Sequence, residues 1–192
     1  MWSFALLAVA LLSAQASAAS IALEARAGAQ VCEGQVNLEE TYIGKDKNVH
    51  VQFATCPAFV PKSSLLESRQ TAPPPVDVCG NPCNTSCFEA GTSPVANDCH
   101  IIADALRFDS QNIGALFTVA NGTNNTVAMT FASCLTFFVN QDTVPIEYCR
   151  TDWAALVDII APRCQGTTGG LCVATNQQWF VDTTHSAPPA PV

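Results

Sequence analysis

Polar and apolar residues alternate with period two along residues 35–43 and again along 48–55, which predicts two strands. Residues 44–47, Gly-Lys-Asp-Lys, read as the turn between them. Further on, Ile102, Ala105 and Leu106 recur at helical spacing, with Ile101 and Phe108 widening the stripe. A helix is therefore expected over 99–108, capped by Asn97 or Asp98. Residues 115–119 read as a strand, and 121–125 as turn chemistry. Residues 126–139 read as one long strand, with Val127, Met129, Phe131, Leu135, Phe137 and Val139 on a single face. Trp153, Leu156, Val157 and Ile160 predict a second helix, capped by Thr151 or Asp152 and ended by Pro162. A last strand starts at 169–175 and runs on through 178–182.

These elements predict an α+β fold: a small disulfide-stabilised α/β sandwich, two helices on one face of an antiparallel sheet, with an N-terminal β-hairpin extension. A proline run at 71–76 divides the chain and reads as a stiff, extended spacer. The expected organisation is a signal peptide over 1–18, a hairpin region over 19–62 and a Pro-rich linker over 63–78. A cysteine-rich α/β domain over 79–185 and a disordered tail over 186–192 complete it.

The signal assignment rests on the apolar run 4–12 followed by Ala16-Ser17-Ala18, a small-x-small cleavage pattern. That run is far shorter than the ~20 apolar residues of a bilayer span. Arg26 is a weaker candidate processing site. The C-terminal residues 186–192 lack the hydrophobic tail of a lipid-anchor signal. The expected location is therefore secreted and extracellular, with no membrane insertion.

Cysteine usage agrees with that route. Cys32, Cys56, Cys79, Cys83, Cys87, Cys99, Cys134, Cys149, Cys164 and Cys172 form an even set, read as up to five disulfides. Cys32 and Cys56 sit symmetrically about the first turn, so an antiparallel hairpin brings them within bridging reach. Cys99 on the first helix is paired with Cys134 on the long strand. Cys149 and Cys164 flank the second helix, roughly 20 Å apart, and so must each bond elsewhere. The other pairings stay open. Metal binding through Cys79, Cys83 and Cys87 is disfavoured, because paired CxxC knuckles and a nearby His are missing. Asn84, Asn121 and Asn124 each begin an Asn-x-Ser/Thr triplet and are candidate glycosylation sites.

The net charge of −8 and only eight Lys and Arg exclude a basic patch, so nucleic acid and anionic membranes are not expected partners. No nucleophile elbow, zinc-protease motif or phosphate-cradling loop occurs, and no cofactor is expected. His100 and Asp104 lie four apart on the first helix and can meet on one face, but no nucleophile accompanies them. Asp142, Glu147, Asp152, Asp158 and Asp182 are the carboxylates that could converge in a hydrolytic cleft. The stronger reading is binding: Trp179, Asp182 and His185 lie on or beside the last strand, and an exposed Trp179 could stack on a sugar ring.

The stretches NDCHIIADAL, FASCLTFFV, DWAALVDII and GGLCV, in that order, resemble fungal small secreted cysteine-rich proteins. Within these, the chain is similar to killer-toxin-like and necrosis-inducing effector domains and to small glycan-binding proteins of mushrooms, over residues 87–183. The resemblance implies a compact α/β sandwich acting without catalysis at cell surfaces. The chain departs from it in its higher cysteine number, its N-terminal hairpin and its proline spacer. The expected function is thus a secreted, effector-like binding protein meeting glycans or a cell-surface protein. A small extracellular hydrolase and a structural wall or matrix protein are the alternatives.

Overall fold

The alternating segments flanking Gly44 form an antiparallel hairpin, β1 (Val36–Ile43) and β2 (Val49–Thr55), which Cys32–Cys56 closes at its open end. The computed structural model describes residues 30–59 and 73–186. The signal run, the site at Arg26, the chain from 60 to 72 and the tail from 187 lie outside the described residues.

A hairpin alone is marginal in water, and this one does not stand alone. β2 pairs antiparallel with β6 (Thr126–Phe131). The sheet then runs through β7 (Cys134–Asn140), β10 (Trp179–His185), β9 (Gly169–Ala174) and β4 (Cys83–Cys87). All of its pairings are antiparallel. The hairpin that the proline run sets apart in sequence is thus part of the main seven-stranded sheet. A second, three-stranded sheet joins β3 (Val76–Asp77), β8 (Ile146–Cys149) and β5 (Leu116–Val119).

Helices α1 (Ala96–Asn112) and α2 (Arg150–Arg163) pack against each other and on one face of the large sheet. The α+β class and the two-helix layer are as the periodicities predict. Between helices and sheet lie Ile102, Leu106, Phe138, Trp153, Val157, Ile160, Trp179 and Val181, all fully buried. The opposite face of the sheet carries a smaller apolar cluster, Ala128, Leu135, Phe137 and Val139, against which Val31, Phe59 and Phe180 pack.

Five disulfides tie these layers. The expected Cys32–Cys56 and Cys99–Cys134 bonds are both present. Cys149 and Cys164 bond other elements, Cys79 and Cys87 respectively, as the length of α2 requires. Cys83–Cys172 joins the edge strand β4 to its neighbour β9.

The structure corrects four sequence expectations. The long strand 126–139 is a hairpin, β6 and β7, turning at Ala132 and Ser133. No Gly, Asn or Pro marks that turn; Ala132 adopts a left-handed φ of 47° because tertiary contacts hold it there. Ser133 donates from its amide and its hydroxyl to Asp98 Oδ2, at 3.1 and 2.6 Å. The same hydroxyl accepts the Val95 amide at 2.9 Å. Asp98 therefore does not cap its own helix, and the serine of a distant turn does so in its place. The last strand is likewise two strands, β9 and β10, and Gln177 takes the positive φ between them. α2 starts at Arg150, one residue before the expected caps, and Pro162 lies inside its final turn. Asp152 instead accepts the Gly80 amide at 2.7 Å.

The Gly169-Gly170 step has a steric cause. At Gly169, with φ of +134°, a Cβ would lie 2.2 Å from the Thr183 carbonyl oxygen across the β9–β10 pair.

Two outcomes follow. Replacing Cys99 and Cys134 together by Ala reopens a 35-residue loop and is expected to lower unfolding free energy by about 4 kcal/mol, measured by chemical denaturation. Ala132→Gly relieves the left-handed strain and is expected to raise the melting temperature, a gain of about 1 kcal/mol; an unchanged or lower midpoint would show that the turn is unstrained.

Candidate functional site

The three residues that sequence places together on the last strand do not converge. β10 is an inner strand between β7 and β9, so one of its faces looks into the helix-covered core. Trp179 points there and is fully buried, its ring stacked on Phe138 at 5.7 Å and tilted against Tyr148 at 4.9 Å. It offers no face to a sugar. The alternation was legible, but inner-strand position decides which ring is core. His185 lies six residues along the strand, opposite Cys134, while Trp179 lies opposite Asn140. Asp182 falls on the other face of the sheet, opposite Phe137 and Leu171.

Asp182 is nonetheless unusual. It is only 7% exposed, and its Oδ1 has no hydrogen-bond partner. Burial pushes its carboxyl up to about 8. Ladder register sets it in a transverse row that crosses the whole sheet: Glu40, Gln52, Ala128, Phe137, Asp182, Leu171 and Ser86. The middle of this row is apolar. Its β1–β2 end is polar, with Glu40 exposed and Gln52 buried.

At that end, Gln52 Nε2 donates to Glu40 Oε1 at 3.2 Å, and His50 Nε2 lies 3.3 Å from Glu40 Oε2. Asn37 Nδ2 also donates to Glu40, at 2.9 Å. Chiefly through the Gln52 bond, and against the opposing effect of burial, the Glu40 carboxyl is held below its ordinary range. Gln52 is fully buried, and its Oε1 has no partner. Two residues along, on the same face, Tyr42 opposes His50, with ring centroids 5.0 Å apart. Tyr42 is 47% exposed. The outcome is an aromatic ring open to solvent beside a fixed carboxylate, an imidazole and an amide. Sequence reasoning passed over this patch because these residues read only as strand alternation. The usable signal was that Glu40 and Tyr42 share parity on a strand whose hairpin partner carries His50 and Gln52.

The His100–Asp104 pair forms, with Nε2 3.5 Å from Asp104 Oδ2, but it belongs to a bridge between helices. His100 Nδ1 lies 2.8 Å from Asp158 Oδ1 on α2, and Arg107 pairs with both Asp104 and Asp158. The hydrogen bond to Asp158 chiefly raises the His100 pKa. The remaining carboxylates are scattered. Asp152 binds Gly80, Asp142 accepts from Gln178, Glu147 sits on β8, and Asp182 lies on the far face of the sheet. Cys79, Cys149 and Asp152 cluster closely enough for three metal ligands, but both sulfurs are already joined in a disulfide. Among the described residues no helix is long and apolar enough to cross a membrane, and no cysteine is free. The five disulfides are compatible with an extracellular protein.

In comparisons with known proteins, no family model, no curated protein and no solved structure matches the chain.

Of the shifted groups, His100 and Asp182 act on stability in the same direction, and Glu40 acts in the opposite one. Protonated His100 stabilises the fold fully below its unfolded pKa near ~6.5, and this contribution fades as pH rises through its raised folded value. Asp182 is neutral in the fold up to about 8, whereas the unfolded carboxyl ionises near ~3.9; the folded state binds more protons between these values, so stability falls as pH rises across them. Asp182→Asn is therefore expected to flatten the pH dependence between 4 and 8 and to stabilise the protein at neutral pH, read by denaturation at several pH values. An unchanged slope would mean that the carboxyl is ionised in the folded protein.

Proposed function

We propose that the chain is a secreted, non-catalytic binding protein of effector-like type, and that it meets glycans on cell surfaces or walls through the β1–β2 patch. The observation that carries this reading is the Tyr42 ring, half exposed and held beside His50, Glu40 and Gln52. A sugar presents an apolar face that stacks on an aromatic ring, while its hydroxyls donate to a carboxylate and accept from an amide. Glu40 is held ionised by its neighbours, which suits an acceptor better than a proton donor.

Two other facts favour binding over catalysis. His100 is spent on an interhelical bridge in which both ring nitrogens face carboxylates. All ten cysteines are tied in disulfides, and oxidised sulfur cannot attack a substrate. Secretion is supported by those five disulfides together with the signal-like run at 4–12. The resemblance to fungal small secreted cysteine-rich proteins fits the same reading.

The test is a glycan array, supplemented by isolated wall fractions and whole cells. The wild-type protein is expected to be retained, and Tyr42→Ala to weaken retention roughly tenfold while leaving the denaturation midpoint within experimental scatter. Failure of the wild-type protein to bind any glycan, wall fraction or cell would sink the proposal. Undiminished binding by Tyr42→Ala would move the site off this patch.

A further inference from the structure

The three Asn-x-Ser/Thr triplets occupy unlike places in the fold. Asn84 lies on β4, the edge strand of the large sheet, and is exposed. Opposite Val173, it points to the face away from the helices, since its neighbours Cys83 and Thr85 turn toward Cys172 on the other side. Asn124 ends the 3-10 turn Gly122–Asn124 and is exposed as well. Asn121 is half-buried, and its Nδ2 donates to the Thr143 carbonyl oxygen.

Nδ2 is the atom that glycosylation modifies. In that reaction it attacks C1 of an oligosaccharide carried on a lipid pyrophosphate. A C1–N bond forms, the C1–O bond to the pyrophosphate breaks, and one amide proton is lost as the lipid pyrophosphate leaves. The transfer must precede folding at residues 124–126. The Thr126 hydroxyl of that triplet is buried in the finished protein and donates to Asn125 Oδ1 at 3.0 Å. Accommodation of the sugar by the final fold, rather than access for the transferase, therefore selects among the sites.

Resting on the secretion reading above, we infer that Asn84 and Asn124, and not Asn121, carry N-linked glycans in the exported protein. A sugar on either exposed side chain projects into solvent without displacing a contact. A sugar on Asn121 would have to fit beside the amide that holds the loop at Thr143. Asn121 and Asn124 are also too close to be filled together. The two chosen glycans would stand near one end of the sheet. Thr126, two residues after Asn124, lies in the same transverse row as Asn84, four strand spacings or roughly 19 Å apart.

The test is to express the full 192-residue chain in a secreting eukaryotic host. The exported protein is then released from its glycans by an amidase in heavy-oxygen water, which marks each formerly glycosylated Asn as labelled Asp in the peptide map. Label is expected at residues 84 and 124 and not at 121. In an Asn124→Gln variant, position 121 should stay unlabelled in the exported fraction, whereas spacing alone would let it fill. Label at 121 in either protein, or its absence at 84 or 124 in protein recovered from the medium, would overturn the assignment. A chain kept wholly inside the cell and unglycosylated would overturn the secretion reading, and this assignment with it.

Discussion

Phe138 is the point on which the fold turns. Its ring lies 4.8 Å from Tyr148, 5.7 Å from Trp179, 5.9 Å from Phe117 and 6.0 Å from Trp153. Those four rings come from β8, β10, β5 and α2, so one side chain gathers both sheets and a helix around β7. Aromatic clusters of this kind bury large areas and fix relative orientation. Directly below, Trp153 Nε1 donates to Thr136 Oγ1 at 3.0 Å, and that hydroxyl donates on to the Asp182 carbonyl at 2.6 Å. The helix is thereby keyed to two adjacent strands by one buried threonine.

The disulfides act where this cluster cannot reach. Cys99–Cys134 pins the start of α1 to the turn end of β7. Cys87–Cys164 and Cys79–Cys149 fasten the two ends of α2, and Cys32–Cys56 closes the outer hairpin. A small aromatic core therefore sets the arrangement, and covalent links hold its rim. The polar patch at β1–β2 inherits its geometry from this: β2 is bound to β6 on one side and carries β1 on the other.

Helix positions, strand alternation and two disulfides were legible in sequence because each depends on local period or simple reach. The turn at Ala132 was not, since its left-handed residue is imposed by Asp98 and Cys99 from another element. The burial of Trp179 was not, because sequence gives the parity of a strand but not its rank within the sheet. Tyr42 and Glu40 read as ordinary strand residues until register set them against His50 and Gln52. The site thus escaped sequence reading for the same reason as the turn: it depends on which strand lies beside which.

The two borders of the large sheet are unlike. β1 is eight residues long, irregular between Asn37 and Glu39, and carries Glu39 and Glu40 at its middle. β4 is five residues long and is bracketed by two disulfide-bonded cysteines. Open strand borders invite sheets to join into fibres. Joining β1 to β4 leaves three residues unmatched, and joining two copies of β1 about their centres opposes like charges. The asymmetry therefore works against fibril growth, and a sheet that ends in two exposed strands can remain dispersed at high concentration.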